Sequence, residues 1–490
     1  PPSAAFWRND PLSRYAAPMK NLVRTLALSA LLAVPALAQA PPGLTESERR
    51  SGAQAHPQIL QQFGGAMNGP VADYVRGVGQ KIAVQSGGGA RATDYTVTLL
   101  NSNVNNAFAI PGGYVYITRQ LLALMNDEAE LAFVMGHEVA HVAARHGQKR
   151  QNRAALSNVL AGVAGVLTGS DLIGRGAGLV AGLTTLGYSR EQERQADSLG
   201  VRYLSTAGYD PNAATDSLAA LGAQTALEAR LKGQGGAEPS KWLSTHPPSG
   251  ERVARMRTEA QAIRTSSRAL NRDAFLNAID GMIYDDDPAE GVVVGSGFRH
   301  GGLALALDAP RGFAISNSSQ AVTGSGPGNL RFDLRAADAR NADLNSIAGA
   351  RWQQLGVSAQ PMRATRINGV EALEGSIRAG SQAGPVEATL TVYRWSPQLT
   401  LTLVSIAPQG QLGGVAPVAA SVRRLSPQDI ASIRSRRVQV VRVGANDTLQ
   451  SLAGRMAYDD DKMARFLTLN QLGANARLKA GDRVKLVTLR

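Results

Sequence analysis

His137-Glu138-Val139-Ala140-His141 is the stretch on which the reading of this 490-residue chain turns. Residues four apart share one face of an α-helix, so both imidazoles face a common centre about one turn apart. Two ring nitrogens placed this way can share one zinc ion at about 2.0–2.1 Å each. Glu138 is rotated off that face, too far to bind the metal yet near enough to take a proton from a water the metal activates. The flanks place the motif on a strong helix. Asn126 is the expected cap, Asp127, Glu128 and Glu130 load the first turn with negative charge, and Arg145, Lys149 and Arg150 load the last with positive charge.

A zinc site needs a third protein ligand. The chain has no cysteine, which excludes thiolate ligands and disulfides together and leaves His, Asp and Glu. A histidine further along the same helix, in the spacing H-x-x-G-x-x-H, would require glycine at 144 and histidine at 147. Ala144 and Gly147 stand there instead. His146 lies five residues past His141 and, on a continuous helix, points off the ligand face, as a helix-end cation or surface residue would. A second helical stretch, Tyr188 to Ala207, supplies Glu193 and Asp197 four apart on one face. Glu193 can then complete the metal site while Asp197 reaches the free N–H of a ligand histidine.

These residues, together with Asn106-Ala107-Phe108-Ala109, Pro111-Gly112-Gly113, Thr245-His246-Pro247 and Arg252, resemble the zinc metallopeptidase family of the CAAX prenyl endopeptidases. The likeness is strongest to that family's soluble bacterial periplasmic branch and covers about residues 44 to 265. It implies a mainly helical, zincin-type peptidase domain with a small sheet, one zinc per chain, and Glu193 as third ligand. It also implies that Asn106, Ala107, Phe108 and Ala109 form an edge strand holding substrate backbone by strand addition. By the same resemblance His246 lies near the metal, either stabilising an oxyanion or filling the fourth metal position until substrate displaces it. Arg252 would orient the substrate carbonyl or a neighbouring carboxylate.

Outside the motif, Glu46 to Ala83 reads as helical, and Thr93 to Leu100 alternates as a strand. Ala107 to Ile110 and Tyr114 to Thr118 form two short strands about the Pro-Gly-Gly turn. Leu156 to Gly187 is apolar and glycine-rich but carries Asp171 and Arg175, which suits a covering hairpin better than a membrane span. A loop at Gly233-Gln234-Gly235-Gly236 precedes a last helix, Ser249 to Ser267. The expected fold is therefore α+β, with a peptidase domain at 41–268, a β-rich α+β accessory domain at 269–435 and a small unit at 436–490. Asp285-Asp286-Asp287 reads as a solvated acidic turn. Ser426 is the expected cap of a linker helix from Pro427 to Arg437.

The last unit resembles a LysM module through Val443-Gly444, Asp447-Thr448-Leu449, Leu452-Ala453, Asn470, Leu472, Leu478-Lys479-Ala480-Gly481-Asp482 and Val484. It departs from that pattern by inserting Ala445-Asn446 and by its Asp459-Asp460-Asp461 run. The resemblance implies a βααβ unit that either binds peptidoglycan or is purely structural. Met19-Lys20 and Arg24, the apolar run Leu26 to Ala38 and the small residues Ala38-Gln39-Ala40 predict a signal peptide within a 1–40 leader, cleaved near Ala40. Residues 1–18 precede that start and are set aside. A periplasmic location follows. The net charge of +13 points to an anionic membrane or cell-wall surface, and no basic block interleaved with aromatics suggests nucleic acid. The expected function is hydrolysis of unfolded or misassembled envelope proteins in quality control. The alternative is a latent zinc-site protein acting as a chaperone-like or wall-binding module.

Overall fold

Thr45 opens the first helix by a reciprocal cap: its hydroxyl accepts from the Glu48 amide and the Glu48 carboxylate accepts from the Thr45 amide. The computed structural model describes residues 43–88, 91–149, 187–231, 246, 250–339, 342–381 and 384–490. The 1–40 leader, the small-residue stretch up to 186, the 233–236 loop, and Thr245 and Pro247 lie outside these residues. Helix α1 (Glu46–Gln62) ends at Gly64 and Gly65, whose φ angles of 75° and 86° a helix cannot hold. The 46–83 stretch is therefore two helices, not one. Proline in the first turn then starts α2 (Pro70–Ala83), which buries Val75, Val78 and Ile82 along one stripe.

Three short strands follow, β1 (Thr96–Leu100), β2 (Ala107–Ile110) and β3 (Tyr114–Thr118), in the order β1-β3-β2. β3 runs parallel to β1 and antiparallel to β2, which places β2 at an edge. At the turn between β2 and β3, a Cβ on Gly112 would fall 2.5 Å from the Glu48 carbonyl oxygen, so only glycine lets α1 pack there. A short α3 (Arg119–Leu124) leads into α4 (Glu128–Ala143), which carries the His-Glu-x-x-His motif. Every residue of α4 from Glu128 to His141 is buried, as befits a helix enclosed by α2, the small sheet, α5 (Arg190–Thr206) and α6 (Ala213–Leu231).

Two expectations about α4 need correction. Its cap is Asp127, whose carboxylate accepts from the Glu130 amide at 2.9 Å; the Asn126 amide instead donates to the Glu130 carboxylate. The helix also ends at Ala143, so Arg145 and Lys149 lie beyond its last turn, and Arg145 takes a left-handed φ of 53°. Helices α7 (Gly250–Ala262) and α8 (Arg272–Ile279) complete this region, α7 ending short of the expected Ser267.

After the short β4 (Ile283–Tyr284), the chain becomes β-rich. One sheet is built from β5 (Val292–Val294), β6 (Gly297–His300) and β7 (Leu305–Asp308), joined by the later β15 (Arg423–Arg424). The larger sheet has seven strands: β8 (Ala314–Asn317), β9 (Val322–Ser325), β10 (Arg331–Asp338), β11 (Arg363–Ile367), β12 (Val370–Ser381), β13 (Gly384–Arg394) and β14 (Leu399–Pro408). Alternation along β14 serves two cores: Leu401 and Leu403 pack toward the smaller sheet, while Val404 and Ile406 pack under Trp352 of α9 (Leu344–Gln354). A short α10 (Ala416–Ser421) precedes β15. Ser426 caps α11 (Pro427–Ser432) as expected, though the helix is only six residues long.

The C-terminal segment runs β16 (Arg436–Arg442), α12 (Leu449–Gly454), α13 (Lys462–Leu469) and β17 (Arg483–Leu489), with β4 added to the free edge of β16. Its apolar residues Val438, Leu452, Phe466 and Leu486 belong to the same core as Phe133 and Val139 of α4. Fully buried Lys485 donates from Nζ to the carbonyls of Ala123 and Met125 at 2.7 and 2.6 Å, and Gln471 donates to Glu130 at 2.7 Å. Burial and the neighbouring Asp127 push the Glu130 carboxyl up to about 8, while burial pulls the Lys485 ammonium down to about 7.

Asp285-Asp286-Asp287 is not a solvated turn. Its carboxylates accept from Gln120, Asn103 and Asn101 on one side, from the Val293 amide on another, and from Tyr458 and Arg436 on a third. The acidic run thus ties all three regions together. Among the described residues, no helix is long and apolar enough to cross a membrane. Lys485→Ala leaves two buried carbonyls without their donor and should lower the free energy of unfolding by about 2–4 kcal/mol. Urea titration checks this, and Lys485→Met should recover only the packing part of the loss.

Candidate metal centre

Helices α4 and α5 cross at a pair of glycines. A Cβ on Gly200 would lie 3.3 Å from the His137 amide nitrogen and 3.2 Å from the Phe133 ring, and one on Gly136 would lie 3.6 Å from the Gly200 carbonyl oxygen. This close approach lets side chains of the two helices meet over a short span. Ser189 caps α5, its hydroxyl accepting from the Gln192 amide, and the inward stripe then runs Glu193, Ala196, Asp197, Gly200 and Val201.

The expected ligands converge. Nε2 of His137 and Nε2 of His141 lie 3.1 Å apart, and the Glu193 carboxylate is 3.5 Å from the first and 3.4 Å from the second. His246 joins them, its Nδ1 lying 3.1 Å from His137 Nε2 and 2.8 Å from a Glu193 oxygen. Donors at about 2.0–2.1 Å from a tetrahedral zinc sit roughly 3.3 Å from one another, so these separations fit that ion. The donor set of imidazole and carboxylate suits it equally well. All four side chains are buried, and their ligand atoms fall within 4.8 Å of one another.

Residues 71–260 match the sequence model of peptidase family M48. Metallopeptidases of that family use zinc, and the buried cluster could hold one such ion. The β-barrel assembly-enhancing protease of Escherichia coli strain K12 is 28% identical over 282 residues, covering 52% of this chain and 55% of that protein. Mitochondrial metalloendopeptidase OMA1 of Schizosaccharomyces pombe is 30% identical over 228 residues, covering 45% and 64%. The same-named protein of Saccharomyces cerevisiae is 31% identical over 151 residues, covering 31% and 42%. The chain spans about half the length of the relatives it matches.

Around the cluster, each group is held by a second one. Asp197 Oδ1 lies 3.1 Å from His137 Nδ1, the ring atom facing away from the cluster. Arg252 grips Asp197 through Nε and Nη2 at 2.7 and 2.8 Å, reaches Glu193 at 2.9 Å and donates to the His246 carbonyl at 3.0 Å. Its guanidinium is thereby directed at two carboxylates and the His246 carbonyl. Burial disfavours the charged His137 ring, but Asp197 and Glu193 outweigh it and push that ring up to about 9. Burial holds His141 well below the usual imidazole range. Against burial, His246, His137 and His141 keep Glu193 well below the carboxylate range, and Arg252 and His137 lower Asp197.

Glu138 is fully buried, with Oε1 3.6 Å from His246 Nε2. Ala107, Phe108 and Ala109 lie on β2, packed on α4, with Asn106 just before the strand. His146 overturns its reading as a surface cation: it is buried, its Nδ1 is 2.9 Å from His141 Nδ1, and burial lowers its pKa. Tyr188, also missed, stacks on the His141 ring at 3.7 Å between centroids. A legible sign of the helix crossing was Gly200, seven residues past Glu193 on the same face. Gly200→Ala should force α5 away from α4 by a few tenths of an ångström and weaken zinc binding roughly tenfold. Competition with a chromogenic chelator measures it, and unchanged affinity contradicts the crossing argument.

Proposed function

We propose that this protein is an exported zinc endopeptidase of the envelope that cleaves unfolded or misassembled proteins. In this reading Glu138 is the general base and His246 a displaceable cover. The observation that carries the reading is the meeting of His137, His141 and Glu193 at one buried point beside Glu138. When bound there, zinc supplies the Lewis acidity that lowers the pKa of water toward neutrality and polarises a peptide carbonyl. Glu138 takes the proton of the attacking water as the C–O bond forms, and delivers it to the departing amine as the C–N bond breaks. Asp197 holds His137, and Arg252 holds Asp197 and Glu193, so neither ligand turns during the cycle.

His246 bears on regulation. Its Nδ1 sits among the ligand atoms and its Nε2 faces Glu138, so it stands where a substrate carbonyl must come. The unpaired edge of β2 among the described residues suits strand addition of an extended substrate beside that point. The 1–40 leader supports export to the periplasm, and the printed name of the Escherichia coli relative supports a role in envelope protein quality control. The soluble periplasmic branch is the reading that combines these. Residues 436–490, in this proposal a LysM-like unit, and the net charge of +13 support attachment to peptidoglycan or an anionic membrane surface. A binding protein with a latent zinc site is the rival; an intact Glu138 favours the hydrolase, since binding alone needs no base there.

Purified zinc-loaded protein should cleave casein. Glu138→Gln should lower that rate by at least about 10²–10⁴-fold with zinc content and fold unchanged. His246→Ala should raise basal cleavage; a fall instead would assign His246 to oxyanion stabilisation, and cleavage insensitive to Glu138→Gln would end the mechanism.

A further inference from the structure

The two histidines of the motif are held by chemically different partners. His137 has a carboxylate, Asp197, behind it. Behind His141 stands another imidazole: His146 Nδ1 is 2.9 Å from His141 Nδ1, and His146 Nε2 is 3.0 Å from Gln195 Oε1. His146 is fully buried, with Tyr188 packed against both rings.

Backbone geometry explains how residue 146 comes to be there. On a continuous helix a residue five further on is rotated about 140° away from His141. Here α4 stops at Ala143 and Arg145 adopts a left-handed φ of 53°, which turns the next residue back toward the helix. Such a conformation is strained for an arginine and persists only where other contacts hold it. Those contacts exist: Arg145 Nε donates to Glu48 Oε1 at 2.9 Å, and Gln192 Nε2 donates to the His146 carbonyl at 3.4 Å. The turn is anchored from α1 and from α5.

We infer that His146 is a positioning residue for the metal site, fixing the tautomer and ring orientation of His141 as a neutral acceptor. The inference rests on the zinc-site reading above. His141 offers Nε2 to the cluster, so its proton sits on Nδ1 and must be donated. Among the described residues the acceptor within reach is His146 Nδ1, which puts the His146 proton on Nε2, where Gln195 Oε1 accepts it. One proton arrangement satisfies all three groups. A neutral acceptor also spares the site a further negative charge beside Glu193 and Asp197, which Arg252 already holds.

The test is zinc affinity, by competition with a chromogenic chelator, together with the absorption of the cobalt(II)-substituted protein. His146→Leu removes the acceptor and should weaken zinc binding about 10–100-fold and shift the cobalt d–d bands. His146→Asn puts an oxygen near the Nδ1 position and should stay within about threefold of wild type with wild-type bands. Wild-type affinity in a folded His146→Leu, or an equal loss in both variants, overturns the inference. Histidine ¹⁵N NMR of the zinc-loaded wild type needs no variant: it should show His146 as the Nε2–H tautomer, and an Nδ1–H tautomer refutes the proposal. Wild-type protein that binds zinc as expected yet never cleaves casein would instead sink the peptidase reading and leave the positioning role standing. No zinc binding at all would sink both.

Discussion

Bringing carboxylates and imidazoles together in a dry interior is the constraint around which this molecule is organised. Isolated buried charges cost several kcal/mol each, and the cost is offset only where every charge has a partner at hydrogen-bond distance. Glu193, Asp197 and Arg252 meet that condition among themselves, with Asp197 gripped by two guanidinium nitrogens and Glu193 by a third contact. A zinc ion held there would add the remaining positive charge. Gly200 makes the arrangement possible, because a Cβ there would press on the His137 amide and the Phe133 ring of the facing helix.

The rest of the described fold serves to hold α4 still. Its first turn is fixed by Glu128, which accepts from Tyr209 and Asn271 at 2.6 and 2.9 Å and from Tyr74. Glu130 and the carbonyls just before α4 are bonded by Gln471 and Lys485 of the C-terminal segment. A segment that is distant in sequence is therefore part of the same core as α4. The acidic turn at 285–287 joins the β-rich region to both.

Much of the centre was legible because helical spacing is a strong local rule. His137, His141 and Glu138 follow from it at once, and Glu193 with Asp197 follow from the same rule plus the need for a third ligand. Strands β2 and β3 began and ended where the Pro-Gly-Gly turn and the apolar runs placed them. What escaped notice depended on departures from regular geometry or on tertiary contact. His146 was misplaced because a left-handed residue at 145 cannot be foreseen from an arginine. Asp127 displaced Asn126 as cap by a one-residue shift that both sequences of side chains would allow. The acidic turn reads as solvated in the sequence because its partners, Asn101, Asn103, Gln120 and Tyr458, are scattered along the chain and only the fold assembles them.

X-ray absorption at the zinc edge tests the central claim most directly. The account predicts a first shell of imidazole nitrogens and at least one carboxylate oxygen at about 2.0–2.2 Å, with the oxygen contribution reduced in a Glu193→Ala protein. A shell unchanged by that substitution, or one of six oxygens without imidazole, would contradict it.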